Sequence, residues 1–202
     1  FHRKVTPAGE IFWYTLTDLF RQGGGNMEQT LKLRAFQKTD IPQLKQWLAI
    51  PRVAAWYPAP EDWIYEVEHQ AEEYPWLHHR IAEWDGREIG FCQYYAYHNS
   101  GEDWHGTTPL EGTYSIDYMI GENDAVGKGL GKRMIALLLR EVWRNRDAVR
   151  VIVQPEPENT TSCGVLRSLG FVFDERNQVY LLERKSLSPH SITEKDNNSY
   201  VF

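Results

Sequence analysis

Residues 125–139, AVGKGLGKRMIALLL, set Gly127, Gly129 and Gly131 within five positions and then turn strongly apolar. Holding a glycine in one conformation is entropically unfavourable. Three so close together therefore point to a turn with positive φ or to a backbone that must approach a ligand. The residues after them carry apolar side chains at helical spacing, so the glycines lie at a helix N-terminus. Unpaired amides and the helix dipole favour an anion there. YSIDYMIG (114–121), just before, reads as a strand. Strand, glycine loop and helix in that order belong to an α/β domain. The glycines alone do not separate a plain turn from an anion cradle.

The flanking sequence extends the pattern. LKLRAF (31–36) alternates as a strand, and TDIPQLKQWLAI after it reads as a helix with Asp40 as cap and Pro42 in its first turn. A second helix is predicted over 60–74. HRIAEWDGREIGFCQYYAYH reads as two strands about Asp85-Gly86, a dipeptide suited to a primed turn. AVRVIVQP (148–155) is a strand ended by Pro155, NTTSCGVLRSLG a short helix closed by Gly170, and FVFDERNQVYLLERK a final pair of strands. The order is β-α-α-β-β-β-loop-α-β-α-β-β, which implies a mixed sheet covered by helices. No repeat or composition break interrupts 27–186, read as one domain. Residues 1–26 read as a leader or linker joined through QGGGN, and 187–202 as a polar tail.

The net charge of −6 disfavours nucleic acid and mildly favours a cationic partner. Eight Trp and eleven Tyr supply flat surface with polar tips, which suits a core or a wet cleft. Cys92 and Cys163 lack metal-ligand spacing and read as two reduced, buried thiols, hence a cytoplasmic protein. His78 and His79 are adjacent and face opposite ways in a strand, so no metal is expected. No apolar run reaches the roughly 18 residues of a membrane span.

YSIDYMIG, VGKGLG, the helix after it and PEPENTTSCGVLRSLGF together resemble the GNAT acyl-CoA-dependent N-acetyltransferases over residues 31–185. The resemblance implies the GNAT fold, an α/β architecture with a mixed, mostly antiparallel sheet flanked by helices. It also implies acetyl-CoA as co-substrate. The family's loop, Arg/Gln-x-x-Gly-x-Gly/Ala, falls on Val126, Gly129 and Gly131, so its first position departs. That loop works through backbone amides, and Val126 need not abolish binding. The cofactor site implied comprises Tyr118, Met119, Ile120, Val126, Gly127, Lys128, Gly129, Leu130, Gly131, Lys132 and Asn159. Within the family the chain is most similar to the aminoglycoside 6′-N-acetyltransferases, through IDYMIG, VGKGLGK, SGEDWHG and VAAWYP. Asp117 favours that branch over the siderophore-lysine acyltransferases, which usually carry His there.

An ammonium must lose a proton before it attacks a thioester, and Asp117 is the candidate base. Its alternative is a carboxylate that only fixes a loop or bonds a backbone amide. Glu102, Asp103 and Trp104 could grip and cover a polycationic substrate, or form a solvated loop. Glu156 and Glu158 lie just past a strand's C-terminal end, where α/β sites tend to be. Trp56 and Tyr57 are either core aromatics or a stacking wall. Many GNAT members carry a proton-donating Tyr in the last helix, where this chain has Leu166; Ser162 and Cys163, one turn earlier, are not obvious substitutes. The expected activity is acetyl transfer to a primary amine of a polycationic small molecule, an aminoglycoside 6′-amine first. The alternatives are a siderophore, polyamine or peptide amine as acceptor, or a non-catalytic acyl-CoA-binding sensor. A monomer or homodimer, without membrane or nucleic-acid partner, is expected.

Overall fold

Residues 30–184, which the computed structural model describes, begin with β1 (Leu31–Ala35). Three helices follow: α1 (Ile41–Leu48), the single turn α2 (Pro51–Ala54) and α3 (Pro60–Glu68). Three long strands come next: β2 (His78–Trp84), β3 (Arg87–Ala96) and β4 (Thr113–Ile120). The chain closes with α4 (Leu130–Val142), β5 (Arg150–Val153), α5 (Thr160–Ser168), β6 (Val172–Asp174) and β7 (Val179–Glu183). The leader, the glycine joint and the polar tail lie outside the described residues.

The strands form one sheet in the order β1-β2-β3-β4-β5-β7-β6, antiparallel throughout except for β4 with β5. Asp85 and Gly86 both have positive φ, 52° and 80°, as the primed turn of the β2–β3 hairpin requires. The α4 stripe of Met134, Ile135, Leu138, Leu139 and Val142 is buried against one face of the sheet, with α5 beside it. Each such side chain contributes about 1.5–3 kcal/mol. The α1–α3 layer packs on the other face through Leu44, Trp47, Leu48 and Val67 against Ile81, Phe91 and Met119.

Two local expectations need correction. Asp40 does not cap α1: its carboxylate pairs with Arg34 Nη1 at 2.6 Å and accepts the Gln37 N–H at 2.8 Å. The second helix stops at Glu68 rather than 74, because His69 leaves helical geometry (φ −107°, ψ 16°) and turns follow.

The parallel pair positions the site. β4 and β5 are in register only from Thr113–Arg150 to Ser115–Ile152. β4 runs on to Ile120 while β5 ends at Val153 before Pro155. The two strands part, and the wedge between them opens a cleft of about 750 Å³.

Candidate active site

One end of the cleft presents uncapped backbone amides and cationic side chains. Gly129 is the N-cap of α4 with φ 73°, and no side chain caps that helix. Gly127 has φ 77°. A Cβ on either would meet nothing within 4 Å, so positive φ, not crowding, calls for glycine. Gly131 differs: it lies inside the helix, and a Cβ there would make an ordinary contact with Ile120 Cγ1 at 3.8 Å. The uncapped first-turn amides, Lys132 and Arg52 all line this end. Arg52 also clamps the end of β4, donating from Nη1 to Ile120 O at 2.6 Å and from Nε to Asn123 Oδ1 at 2.8 Å.

The other end is acidic and aromatic. Asp117, on the face of β4 toward α3, accepts a hydrogen bond from Gln93 Nε2 at Oδ2, 2.9 Å away. Burial, aided by the negative charge of Glu102, pushes its carboxyl up to about 6, while the Gln93 bond acts against the rise. Glu66 of α3 lines the same space; burial first, then Asp117, Glu102 and Asp62, raise it to about 7. Glu102 accepts from the Tyr95 hydroxyl at 3.2 Å. Its loop is braced by Trp104 edge-on to Tyr97, ring centroids 4.7 Å apart, and by Asn177 Oδ1 accepting the Thr107 N–H at 2.8 Å. Glu156 and Glu158 stand exposed at the rim.

Most of the sequence-derived candidates meet here. Trp56, Tyr57, Glu102, Trp104, Asp117, Tyr118, Met119, Ile120, Val126, Gly127, Gly129, Leu130, Gly131, Lys132, Glu156, Glu158 and Asn159 all line the cleft. Asp103 and Lys128 do not. Asp103 is exposed outside it, and Lys128 reaches over the Trp84 ring, 4.9 Å from its centroid. Tyr57 is a strut as well as a wall, since its hydroxyl donates to Tyr118 O at 2.7 Å. Asn159 caps α5, accepting the Ser162 N–H at 3.1 Å. Leu166 is fully buried in the core, not at the cleft. Sequence reading missed Glu66, Gln93, Tyr95 and Arg52. The spacing of Trp63 and Glu66, three apart on one helix face, is the signal that was available for the first.

The Acetyltransferase (GNAT) domain family matches residues 37–179, more than half of the chain. The chain belongs to the GNAT acetyltransferases. Like other GNAT members it is an N-acetyltransferase. It is 23% identical over 156 residues to the aminoglycoside N(6′)-acetyltransferase type 1 of Klebsiella pneumoniae, covering 72% of this chain and 76% of that protein; the Serratia marcescens enzyme matches equally. Among solved structures, aminoglycoside acetyltransferase AAC(6′)-Ib in complex with coenzyme A superposes with a TM-score of 0.65 at 23% identity. That match spans 77% of this chain and 95% of the other, and a complex of the same enzyme with coenzyme A and kanamycin matches equally. The GNAT fold, with its mostly antiparallel sheet, is thus shared. Among the described residues no helix is long and apolar enough to cross a membrane.

Proposed function

We propose that this GNAT enzyme transfers an acetyl group from acetyl-CoA to a primary amine of a polycationic small molecule, an aminoglycoside 6′-amine foremost. The observation that carries this reading is the two-ended cleft: uncapped amides with Lys132 and Arg52 at one end, Asp117, Glu66 and Glu102 with Trp56 and Trp104 at the other. The first end suits a pyrophosphate, and β4 beyond Ser115 is no longer paired with β5, which leaves room along that side for an amide-containing arm. The second suits ammonium groups on a flat, hydroxylated body. The relatives named for aminoglycoside acetylation, and their complexes with coenzyme A and kanamycin, support the same reading.

In this reading Asp117 holds the substrate ammonium and takes its proton. The freed nitrogen attacks the thioester carbonyl carbon, the C–S bond breaks, the sulfur leaves as thiolate, and the nitrogen gives up its second proton to solvent as the amide forms. A carboxyl near 6 is mostly ionised at neutral pH yet basic enough to accept a proton. Cys92 and Cys163 are both free and buried, which supports a cytoplasmic enzyme; it would act as a monomer or homodimer. Thiol release from acetyl-CoA, measured against an amine panel, tests the assignment. The expected order of kcat/KM is kanamycin above spermidine, and both above a peptide N-terminus. A peptide amine acetylated faster than kanamycin overturns the aminoglycoside assignment.

A further inference from the structure

A departing thiolate concentrates a full negative charge on sulfur, in a cleft whose acceptor end already holds carboxylates. A fixed hydrogen-bond donor aimed at that sulfur acts more strongly on the transition state than on the neutral thioester. Asp117 cannot serve, because it faces Gln93 and collects the amine's proton. Its neighbour Tyr118 points to the opposite face of β4, toward the α4 and α5 layer, as strand alternation dictates. The parting of β4 from β5 leaves both side chains on the cleft.

The Tyr118 hydroxyl lies 2.6 Å from Ser162 Oγ, tying β4 to the first turn of α5 across the cleft wall. Ser162 is itself fixed, since its N–H is taken by the Asn159 cap. When the serine hydroxyl donates to the phenol oxygen, the Tyr118 proton is left over for the cleft. Burial, the largest influence, pushes the Tyr118 phenol well above its ordinary range, so it stays protonated at neutral pH and acts as a donor rather than a base. The Ser162 bond works against that rise, as a bond donated to the phenol oxygen should.

We infer that Tyr118, held by Ser162, is a catalytic residue that hydrogen-bonds to the coenzyme A sulfur as the C–S bond breaks. The electron pair of that bond stays on sulfur and the Tyr118 O–H remains covalently intact. The thiolate is then protonated from solvent, which in turn receives both protons the ammonium sheds, the first by way of Asp117 and the second as the amide forms. One strand would thus serve the two ends of the reacting centre, Asp117 at nitrogen and Tyr118 at sulfur.

This inference rests on reading the cleft as an acetyl-CoA site, and the test separates the two. Calorimetry would compare coenzyme A with desulfo-coenzyme A, for wild type, Tyr118→Phe and Ser162→Ala, between about pH 7 and 9, which brackets an ordinary thiol pKa of about 8.5. A donor to the thiolate makes the preference for coenzyme A grow with pH. Wild type should exceed Tyr118→Phe by roughly tenfold at the upper end, the effect of a bound thiol pKa lower by about one unit. Ser162→Ala should move in the same direction by less, and it decides the matter if Tyr118→Phe melts below the assay temperature. The same pH dependence in wild type and the folded variants overturns the role of Tyr118 alone. A wild type that binds neither ligand overturns the acetyl-CoA reading and this inference with it.

Discussion

Asp117 is under opposed demands. It must be ionised to receive a proton, yet it sits among protein atoms beside Glu102, and both raise its pKa to about 6. The compromise predicts a pH profile. Activity that depends on the Asp117 carboxylate rises as pH climbs through about 6, because only the ionised form is a base. Asp117→Asn removes that limb and lowers kcat/KM by about 10², while acetyl-CoA affinity holds, since the anion end of the cleft is untouched. Steady-state kinetics across pH with calorimetry checks both; a folded variant that keeps the limb near 6 rules Asp117 out as the base. Leu166 shows how a position can mislead. Aligned as a missing tyrosine, it is a core leucine with no exposed surface, packed with Tyr180 and Phe171 in the same cluster. A tyrosine there would overpack the core by about 1–3 kcal/mol and would have to bury a hydroxyl. The cleft-lining positions of that helix are Thr160, Thr161, Ser162 and Val165 instead.

The loop into α4 separates backbone need from chemical need within one element. Gly131 has ordinary helical geometry and room for a side chain, so Gly131→Asp should fold. An acidic residue in the first turn even complements the helix dipole, by about 0.3–1 kcal/mol. The same charge repels a pyrophosphate, and acetyl-CoA affinity should drop at least tenfold, about 1.4 kcal/mol. Gly129→Ala should do the reverse in kind. It forces Cβ into the left-handed region, which costs about 1–2 kcal/mol and lowers the melting temperature. Undiminished acetyl-CoA affinity in a folded Gly131→Asp would remove the cradle. This element was legible from sequence because its signals are local: a strand, glycines and a 3.6-residue stripe. The Asp85-Gly86 hairpin was legible for the same reason. The end of α3 was not. The stretch 69–74 keeps helix-compatible composition, but its turns are held by contacts that no periodicity displays. The Tyr65 and His69 rings stack at 3.9 Å, Tyr65 donates to Glu73 at 2.8 Å, and Gln70 donates to Leu77 O at 3.3 Å.

At the scale of the molecule, the acidic end of the cleft is assembled from parts distant in sequence, which is why Glu66 escaped sequence reading. A single acid on an amphipathic helix reads as a solvated face; only folding sets it near Asp117 and Glu102. Bringing these carboxylates together opposes folding, and the sign of that effect is fixed. The folded state raises Glu66 from an ordinary 4.5 to about 7, so it binds the proton more tightly than the unfolded chain does. Relative stability is therefore full below about 4.5 and is lost as pH rises through about 7. Glu66→Gln keeps the shape and removes the titration. Its melting temperature should match wild type at the acid end of that interval and exceed it above neutrality, by about 2–4 °C for each kcal/mol relieved. Its function should move the other way. KM for a polycationic amine should rise several-fold, while kcat/KM for a simple monoamine stays near wild type, because only a substrate with a second ammonium uses the extra carboxylate. A variant that is stabilised at high pH but keeps its wild-type KM for polycations would show that Glu66 is buried for packing alone. A variant with neither change would mean that Glu66 does not share the field of Asp117 and Glu102 in solution.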